Sequence, residues 1–463
     1  MMAAHLKWCR APEGEFKVHT SRCSVYLFAF LSVTALTTSL VADDWTQFRG
    51  ADGRGVAELT AHPERWSETE NVVWKQPIPG RGWSSPIIAG NRVFITTVTR
   101  VAGAQEDAKP GLYFGGDRKQ ADQVDHSWEL ICFDLKSGDQ LWNRTLHQGK
   151  PRTPRHIKNS YASETPATDG ELVFALFGDL GLFCCTIDGE LVWSKELPPC
   201  KTRFDWGTAA SPILHKDRLY FVSDSENASY LAALDKRTGD DIWKVERDEK
   251  SNWATPFVWA NDVRTEIITH GTGKTRAYDL KGKLLYQFGG ASSITIARPY
   301  AAHGLLYVSS GYILDPNKPI FAIRPGASGE ISLADNETSN ASIAWCQKQA
   351  APYNPSTIVY GDQLYVLLDR GLFAAYDAKT GKMIYDRKRL GSQAFTASPW
   401  ACDGKIYCLD EFGETNVVKA GPEFEILHTN KLNSEQLCMS SPAIADGKLI
   451  LRTGDALYCI GQQ

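Results

Sequence analysis

A short segment that contains a proline and a turn recurs along the chain, and it constrains the fold more than any other feature. In six copies an apolar residue follows eight positions after the proline. The pairs are Pro86/Phe94, Pro166/Phe174, Pro212/Tyr220, Pro299/Tyr307, Pro399/Tyr407 and Pro442/Ile450. A seventh copy at 253–268 has a longer turn, and an eighth at 355–365 has Thr357 in place of the proline. The chain therefore repeats one unit eight times.

The spacing of the copies identifies this unit. Successive anchor positions lie 80, 46, 44, 43, 58, 42 and 43 residues apart. A period of roughly 42–46 residues is typical of a four-stranded propeller blade, and the two long steps indicate insertions. We expect an all-β fold, an eight-bladed β-propeller of four-stranded antiparallel blades.

Each copy has a second half that we expect to dock one blade on the next. The best example is "ALDKRTGDDIW", with Asp235, Gly239 and Trp243. The Asp side chain can accept backbone N–H groups of the turn, and Gly supplies a positive φ there. The aromatic residue can bury a large area between neighbouring blades. We predict the same docking role for Trp142 and Trp193.

The last copy has no docking strand of its own. It stops at "ALYCIGQQ", whereas "NVVWKQPI" at 71–78 precedes the first proline anchor and contains Trp74. We therefore predict that 71–78 completes the last blade. This arrangement would close the ring and remove its open edges.

The N-terminus is typical of a targeting segment. Lys7, Arg10, Lys17 and Arg22 precede an uncharged apolar run at 25–42, which Asp43 ends. We predict a secretory signal peptide at 1–42, with an uncleaved N-terminal anchor as the alternative, and a propeller domain at 43–463. No later stretch is apolar enough to span a bilayer. We expect an exported protein of the periplasm or cell envelope.

Eleven cysteines include an adjacent pair, Cys184 and Cys185. Aligned on the turns, Cys185 falls at the small-residue position that Ala233 occupies in another blade, and Cys184 should face the opposite side. A free Cys behaves as a small hydrophobe, so we interpret Cys185 as structural. A redox-active disulfide between the two residues is the alternative.

Composition and motifs narrow the function. The net charge of −4 does not indicate a basic face, so we do not expect nucleic acid as a partner. The ten His residues are dispersed, and neither a nucleophile motif nor a phosphate loop is present. We predict no catalytic residue and no metal ligand.

The repeats resemble those of the quinoprotein-type, or PQQ-like, eight-bladed propellers. Ala233, Asp235, Thr238, Gly239 and Trp243 match the recurrent pattern of that family, and the resemblance covers about residues 45–463. The opening "DWTQFRGADGRG" at 44–55 is similar to exported bacterial members. The resemblance implies one of two classes, because one fold hosts many functions.

One class comprises dehydrogenases that hold pyrroloquinoline quinone and calcium. The other comprises non-catalytic propellers, including the scaffold of the outer-membrane β-barrel assembly machine. The resemblance implies that a dehydrogenase needs calcium ligands, a catalytic Asp and a Trp beneath the quinone, and the sequence has no clear counterpart of the calcium and base residues. We expect an exported, monomeric binding or assembly scaffold without a cofactor. A quinone- and calcium-dependent alcohol or aldose dehydrogenase is the alternative.

Connectivity predicts where such a scaffold binds. Loops ahead of the first strand of each blade share a face with loops after its second strand, and insertions at 100–127 and 147–164 can cap that face. Trp83, Asp179 and Asp369 belong to the same face. The candidate ligand-binding residues are His156, Asn159, Tyr161, Glu164, Trp206, Asp224, Arg247, Trp253 and Arg298. Aromatic rings with Arg and Asp around a funnel suit a protein, a peptide or a carbohydrate.

Overall fold

Eight sheets form the fold, as the repeat predicts, and seven of them have four strands while one has five. The computed structural model describes residues 44–57, 62–103, 107–113 and 115–462, and these contain 33 strands. The predicted leader at 1–42 lies outside the described residues. The expected all-β, eight-bladed propeller is confirmed.

The first strand along the chain, β1 (Val72–Pro77), belongs to the last blade. Blade 1 contains β2 (Ile87–Ala89), β3 (Arg92–Arg100), β4 (His126–Asp134) and β5 (Gln140–Gly149). Blade 2 contains β6 (Ala167–Thr168), β7 (Leu172–Phe177), β8 (Gly181–Thr186) and β9 (Leu191–Glu196). A 3-10 helix (Arg203–Asp205) precedes blade 3, which contains β10 (Ile213–His215), β11 (Arg218–Asp224), β12 (Ser229–Asp235) and β13 (Asp241–Glu246). Blade 4 contains β14 (Phe257–Ala260), β15 (Thr265–His270), β16 (Thr275–Tyr278) and β17 (Leu284–Phe288).

The remaining blades follow the same order. Blade 5 contains β18 (Tyr300–Ala302), β19 (Leu305–Ser309), β20 (Ile320–Ile323) and β22 (Ile343–Gln347), with β21 (Gly329–Glu330) inserted before its last strand. Blade 6 contains β23 (Ile358–Tyr360), β24 (Gln363–Leu368), β25 (Leu372–Asp377) and β26 (Met383–Arg389). Blade 7 contains β27 (Trp400–Cys402), β28 (Lys405–Leu409), β29 (Glu414–Lys419) and β30 (Ile426–Lys431). Blade 8 contains β31 (Ala443–Ala445), β32 (Lys448–Arg452), β33 (Ala456–Ile460) and β1.

The burial of the strands explains their composition. Middle strands such as β12 are buried along nearly their whole length, because another blade covers each face of the sheet. Outer strands such as β13 alternate between exposed and partly buried residues. The chain therefore has strands of continuous apolar residues near the axis and strands of alternating character at the rim.

Tryptophans of the outer strands join neighbouring blades by one repeated hydrogen bond. Each indole Nε1 donates to a backbone carbonyl in the turn of the next blade at 3.0 Å. The pairs are Trp74/Leu135, Trp142/Ile187, Trp193/Lys236, Trp243/Leu280 and Trp345/Ala378. The structure therefore agrees with the docking role predicted for Trp74, Trp142, Trp193 and Trp243, and it adds Trp345.

The turn glycine has two functions. Gly239 has a φ of +76°, and a Cβ built on it would lie 2.7 Å from the Trp193 ring. The residue therefore permits the left-handed turn and also leaves room for the indole of the preceding blade. Asp235 completes the turn, because its Oδ1 accepts the backbone N–H groups of Arg237 and Thr238 at 2.8 and 3.1 Å.

The cysteine register predicted from the turns is wrong by one residue. Cys184, not Cys185, lies opposite Phe174 and Trp193, the position that Ala233 holds opposite Tyr220 and Trp243. The error arises because the turn of blade 2 is one residue shorter than that of blade 3, and Thr186 replaces the turn Asp there. Both cysteines are buried and free.

The two thiols face different blades, since successive strand residues point to opposite faces. Cys184 packs in a cluster with Phe221 and Leu234 of blade 3, whereas Cys185 packs with Phe94 and Cys132 of blade 1. In the structure this pair is thus part of two inter-blade cores.

Two elements deviate from the simple repeat. Strand β21 pairs in parallel with β17 and so adds a fifth strand to the sheet of blade 4. Strand β1 pairs antiparallel with β33, with Trp74 opposite Cys459. Among the residues that the structure describes, we find no helix with the length and apolar character needed to cross a bilayer.

We predict that Gly239→Ala destabilises the protein more than Gly404→Ala does. Both glycines have a positive φ, +76° and +70°, but a Cβ at Gly404 meets nothing within 4 Å. Backbone strain alone should lower the free energy of unfolding of Gly404→Ala by about 1–2 kcal/mol. Overpacking against Trp193 should add about 1–3 kcal/mol in Gly239→Ala. Urea unfolding measures both, and equal losses would contradict the docking role of Gly239.

We also predict that Cys184 and Cys185 are both free thiols in the purified protein. Burial raises the pKa of Cys184 to about 12 and that of Cys185 to about 11, so neither should react with iodoacetamide in the native state. After denaturation without reductant, mass spectrometry of their shared peptide should find both alkylated. A peptide that is alkylated only after reduction would restore the disulfide interpretation.

Candidate functional site

The inner ends of the blades are joined by a ring of side-chain hydroxyl groups. In six blades the hydroxyl of the Ser or Thr just ahead of the inner strand accepts the backbone N–H of the equivalent residue in the preceding blade, at 2.9–3.0 Å. We call these six residues the hydroxyl ring: Thr165, Ser211, Thr255, Ser356, Ser398 and Ser441. Blade 5 has Arg298 at this position, and an arginine side chain has no hydrogen-bond acceptor. In blade 1 the equivalent residue is Ser85, whose backbone N–H donates to Thr165.

An N-terminal segment, residues 44–57, lies beyond the hydroxyl ring. Trp45 exchanges backbone hydrogen bonds with Ile88 of β2. At its other end Ala57 donates to the carbonyl of Ala401 in β27. These partners lie three positions further along the inner strands than the ring positions of their blades, Ser85 and Ser398, so the segment crosses the channel on the side away from the ring's mouth.

Two insertions cover the mouth, as connectivity predicts. Lys158, from the linker between blades 1 and 2, donates to the Gly111 carbonyl at 2.9 Å and to Glu411 of blade 7 at 2.7 and 2.8 Å. Glu411 also accepts the Gly111 N–H at 2.8 Å and the Thr396 hydroxyl at 2.6 Å. The Lys158–Glu411 ion pair is nearly buried, and it ties both insertions to blade 7.

Between the insertions and the N-terminal segment lies a cavity of about 740 Å³. All six members of the hydroxyl ring line it, and Phe48 of the N-terminal segment lines it as well. Its walls are aromatic. The aromatic lining residues other than Phe48 are Trp83, Tyr113, His156, Phe204, Trp206, Trp253, Tyr312 and Tyr353.

The three tryptophans of the wall are held rigidly. Trp83 donates its indole N–H to the Lys158 carbonyl at 2.7 Å, and Trp253 donates to the Gly207 carbonyl at 2.6 Å. Trp206 donates to Asp117 at 2.6 Å. Because each indole N–H already has a partner, these side chains present ring faces and apolar edges to the cavity.

Four of the nine predicted ligand-binding residues line this cavity. They are His156, Asn159, Trp206 and Trp253. Asn159 also holds the wall together, since its Nδ2 donates to the carbonyls of Trp206 and Thr208 at 2.7 and 3.2 Å.

The other five residues lie behind the lining. Asp224 and Arg247 form a fully buried bidentate pair with two contacts of 2.9 Å. Arg298 donates to the Phe48 carbonyl. Tyr161 donates its hydroxyl to the Thr153 carbonyl at 3.2 Å, and Glu164 accepts the Thr208 hydroxyl.

Asp179 and Asp369, which the connectivity also places on this face, hold backbone rather than line the cavity. Asp179 accepts the Arg152 N–H at 2.6 Å, and Asp369 accepts those of Tyr353 and Asn354 at 2.8 and 2.9 Å. Acidic residues in these loops therefore position the segments that lead from the preceding blade into their own blade.

Glu164 is a buried acid whose chain neighbours Ser163 and Thr165 both line the cavity. Its Oε1 accepts the Thr208 hydroxyl at 2.5 Å and the Gly178 N–H at 3.1 Å. Burial raises the pKa of this carboxyl to about 7 despite these hydrogen bonds. Neither contact supplies a positive charge, so the protein holds Glu164 partly protonated near neutral pH.

Sequence reasoning missed most of the cavity floor. The hydroxyl ring left a signal, because a Ser or Thr precedes the proline in six of the seven copies that have a proline at the anchor position. Phe48 and Tyr113 left none, since nothing in their sequence context relates them to the repeat. Their position depends on segments that cross the propeller.

The lining fits a calcium-bound quinone cofactor poorly. Calcium takes six to eight oxygen ligands, usually with several carboxylates. Among the described lining residues Asp117 is the one carboxylate, and it already accepts the Trp206 indole. The described residues also contain no group of three or more His, Cys, Asp or Glu that can hold a metal ion.

Comparison with known proteins relates this architecture to a family. The family described as outer membrane protein assembly factor BamB matches residues 64–229 and 227–398. No curated protein sequence matches this chain.

Solved structures show the same fold at low identity. BamB from Moraxella catarrhalis is 12% identical, with a TM-score of 0.51, over 79% of this chain and 100% of that one. Quinohemoprotein alcohol dehydrogenase from Comamonas testosteroni is 10% identical, with a TM-score of 0.57, over 91% and 81%. The computationally designed Ika8 protein is 11% identical, with a TM-score of 0.51, over 78% and 98%. Such likenesses establish the fold and leave the function to the site.

We predict that Glu164→Gln changes how stability depends on pH. The folded pKa of about 7 lies above the ordinary value of 4.5, so the folded protein binds this proton more tightly than the unfolded chain. Glu164 therefore contributes to the free energy of unfolding below pH 4.5. This contribution, up to about 3 kcal/mol, is lost as the pH rises towards 7. Gln keeps the acceptor for Thr208 and cannot ionise.

Urea unfolding from pH 4.5 to 8 tests this prediction. Glu164→Gln should gain stability relative to the unmodified protein as the pH rises. Glu190→Gln, an exposed change in the same blade, should leave the pH dependence as it is. Parallel curves for the protein and Glu164→Gln would show that Glu164 ionises normally.

Proposed function

The chain belongs to the BamB family of outer membrane protein assembly factors, and on this premise we propose that it is a non-catalytic propeller that binds a segment of a partner protein at its mouth. In this proposal the protein is exported to the periplasm or cell envelope and acts there as a binding or assembly scaffold. The net charge of −4 supports a protein or peptide rather than nucleic acid as the ligand.

The observation that carries the proposal is the exposed apolar rim of the cavity. Tyr113, Phe204 and Leu314 line the cavity and are 38%, 48% and 60% exposed. Large exposed apolar side chains around a concave site are typical of a protein-binding surface. Aromatic residues supply most of the binding energy at such surfaces.

The rigidity of the site supports binding as its function. The wall tryptophans have fixed orientations, and the Lys158–Glu411 ion pair holds the insertions that cover the mouth. A site that is ordered before the ligand arrives loses less conformational entropy on binding. The cavity volume also falls in the range of pockets that enclose small ligands or a few side chains.

We propose further that the protein has no cofactor. The alternative is a dehydrogenase that uses pyrroloquinoline quinone and calcium, and a quinohemoprotein alcohol dehydrogenase shares the fold. No feature of the lining favours this alternative, because Asp117 is its one described carboxylate.

An absorbance titration with quinone and calcium, followed by a dye-linked alcohol or aldose assay, decides between the scaffold and the dehydrogenase. Binding with turnover would overturn the scaffold proposal.

We predict that Phe204→Ala and Leu314→Ala each weaken peptide binding about tenfold or more, which corresponds to ~1.4 kcal/mol. Peptides selected from a library on the intact protein provide the ligands, and fluorescence polarisation measures their dissociation constants. Leu191→Ala is the matched control, because Leu191 is 50% exposed but lies on the outer strand β9 of blade 2. Equal affinities for all variants would place binding away from the mouth.

A further inference from the structure

The floor of the cavity has hydrogen-bond donors without partners. Each member of the hydroxyl ring accepts one backbone N–H, which occupies lone-pair capacity of its oxygen. A hydroxyl group also has one O–H donor. Within the described part of the chain, none of the six hydroxyls donates a hydrogen bond to a protein acceptor, and all six line the cavity. Six O–H groups are therefore available to a ligand.

Two buried arginines add positive charge behind this floor. Arg298 takes the place of a hydroxyl in blade 5, and its guanidinium donates to the carbonyl of Phe48, a lining residue. Arg49 donates to the carbonyls of Pro399 at 3.0 Å and Thr357 at 3.2 Å. Both side chains are fully buried, and the acceptors on the described residues are carbonyls rather than carboxylates.

Burial lowers the pKa of both arginines more than the nearby carboxylate of Asp52 raises it, so their charge is only partly compensated. Burial lowers the pKa of Arg298 to about 9, and the nearby charge of Arg49 lowers it as well. Burial also lowers the pKa of Arg49, to about 10. Both side chains still carry a charge at neutral pH. Bringing an anion close to them would offset part of the cost of burying that charge.

The shape of the cavity limits how a chain can enter it. The N-terminal segment crosses the channel beyond the hydroxyl ring, from Ile88 in blade 1 to Ala401 in blade 7, and Phe48 lines the cavity there. A polypeptide that enters at the mouth therefore has no free passage past this segment. A chain end fits such a site better than an internal stretch, which would have to double back.

We propose that the hydroxyl ring binds a carboxylate, and that this carboxylate is the C-terminus of a partner polypeptide whose last residues are apolar or aromatic. The ring supplies neutral donors, Arg49 and Arg298 supply charge, and the aromatic walls pack against the last side chains. This inference rests on the proposed function, because it specifies which part of a partner enters the same cavity. Hydrogen bonds to a charged group are stronger than those between neutral groups, so the carboxylate should dominate the affinity.

The test compares three libraries of short peptides on the full chain. The first has a free C-terminal carboxylate, the second has an amidated C-terminus, and the third is amidated but contains internal Asp or Glu. We expect binders chiefly from the first library, with apolar final residues and affinities about tenfold or more above those of their own amides. Equal enrichment from the second library, or preference for the third, would overturn the C-terminal carboxylate.

Substitutions test whether the hydroxyl ring binds the carboxylate of the selected peptides. Thr255→Val removes one hydroxyl with little change of shape and should weaken binding of the free acid about tenfold while leaving its amide unaffected. Thr202→Val is the matched control, since the Thr202 hydroxyl also accepts a backbone N–H, from Gly207 at 2.8 Å, but does not line the cavity. Equal losses for the acid and the amide in Thr255→Val would show a structural effect and overturn the carboxylate site.

The two proposals fail in different ways. If amides bind as well as acids and Phe204→Ala abolishes both, the mouth binds peptides but the ring does not select a carboxylate. If no library yields a binder that is sensitive to Phe204→Ala, both proposals are wrong.

Discussion

Contact between neighbouring blades is the constraint on which the rest of this structure depends. A single four-stranded sheet cannot bury both of its faces, so each blade needs a partner on either side. Hydroxyl–amide hydrogen bonds join the inner ends of blades, and indole–carbonyl hydrogen bonds join the outer strands. The junction between blades 4 and 5 has Tyr286 and Arg298 at these two positions, and there β21 pairs with β17 instead.

The candidate site is a consequence of the same contacts. The hydroxyl ring forms because the inner strands converge on the axis, and the cavity lies where those strands begin. Each hydroxyl oxygen accepts a neighbouring amide, which orients the side chain and leaves its hydrogen directed away from that amide. A group that stabilises the ring of blades can in this way also present a donor to a ligand. The N-terminal segment and the two insertions then close the space on either side.

The cysteine pair illustrates the limit of reasoning from the repeat. The motif predicted strands, turns and docking residues well, because each depends on a few adjacent residues. It misplaced Cys185 by one position, since the turn of blade 2 is shorter and Thr186 substitutes for the Asp that anchors the alignment. A shift of one residue exchanges the two faces of a strand. For the predicted mouth, connectivity placed the loops on the correct face but did not determine which side chains, such as Arg247, turn into the core.

The sequence by itself determined the number of blades, their strand order and the tryptophans and glycines that join them, because the repeat period and the turn chemistry are local properties. Only the tertiary structure decided that Phe48 and the hydroxyl ring form one floor, that Lys158 meets Glu411 across the mouth, and that Arg49 and Arg298 are buried beside carbonyls. These relations join residues up to about 350 positions apart in the chain. They depend on segments that cross the ring of blades, and no local pattern encodes where such a segment lies.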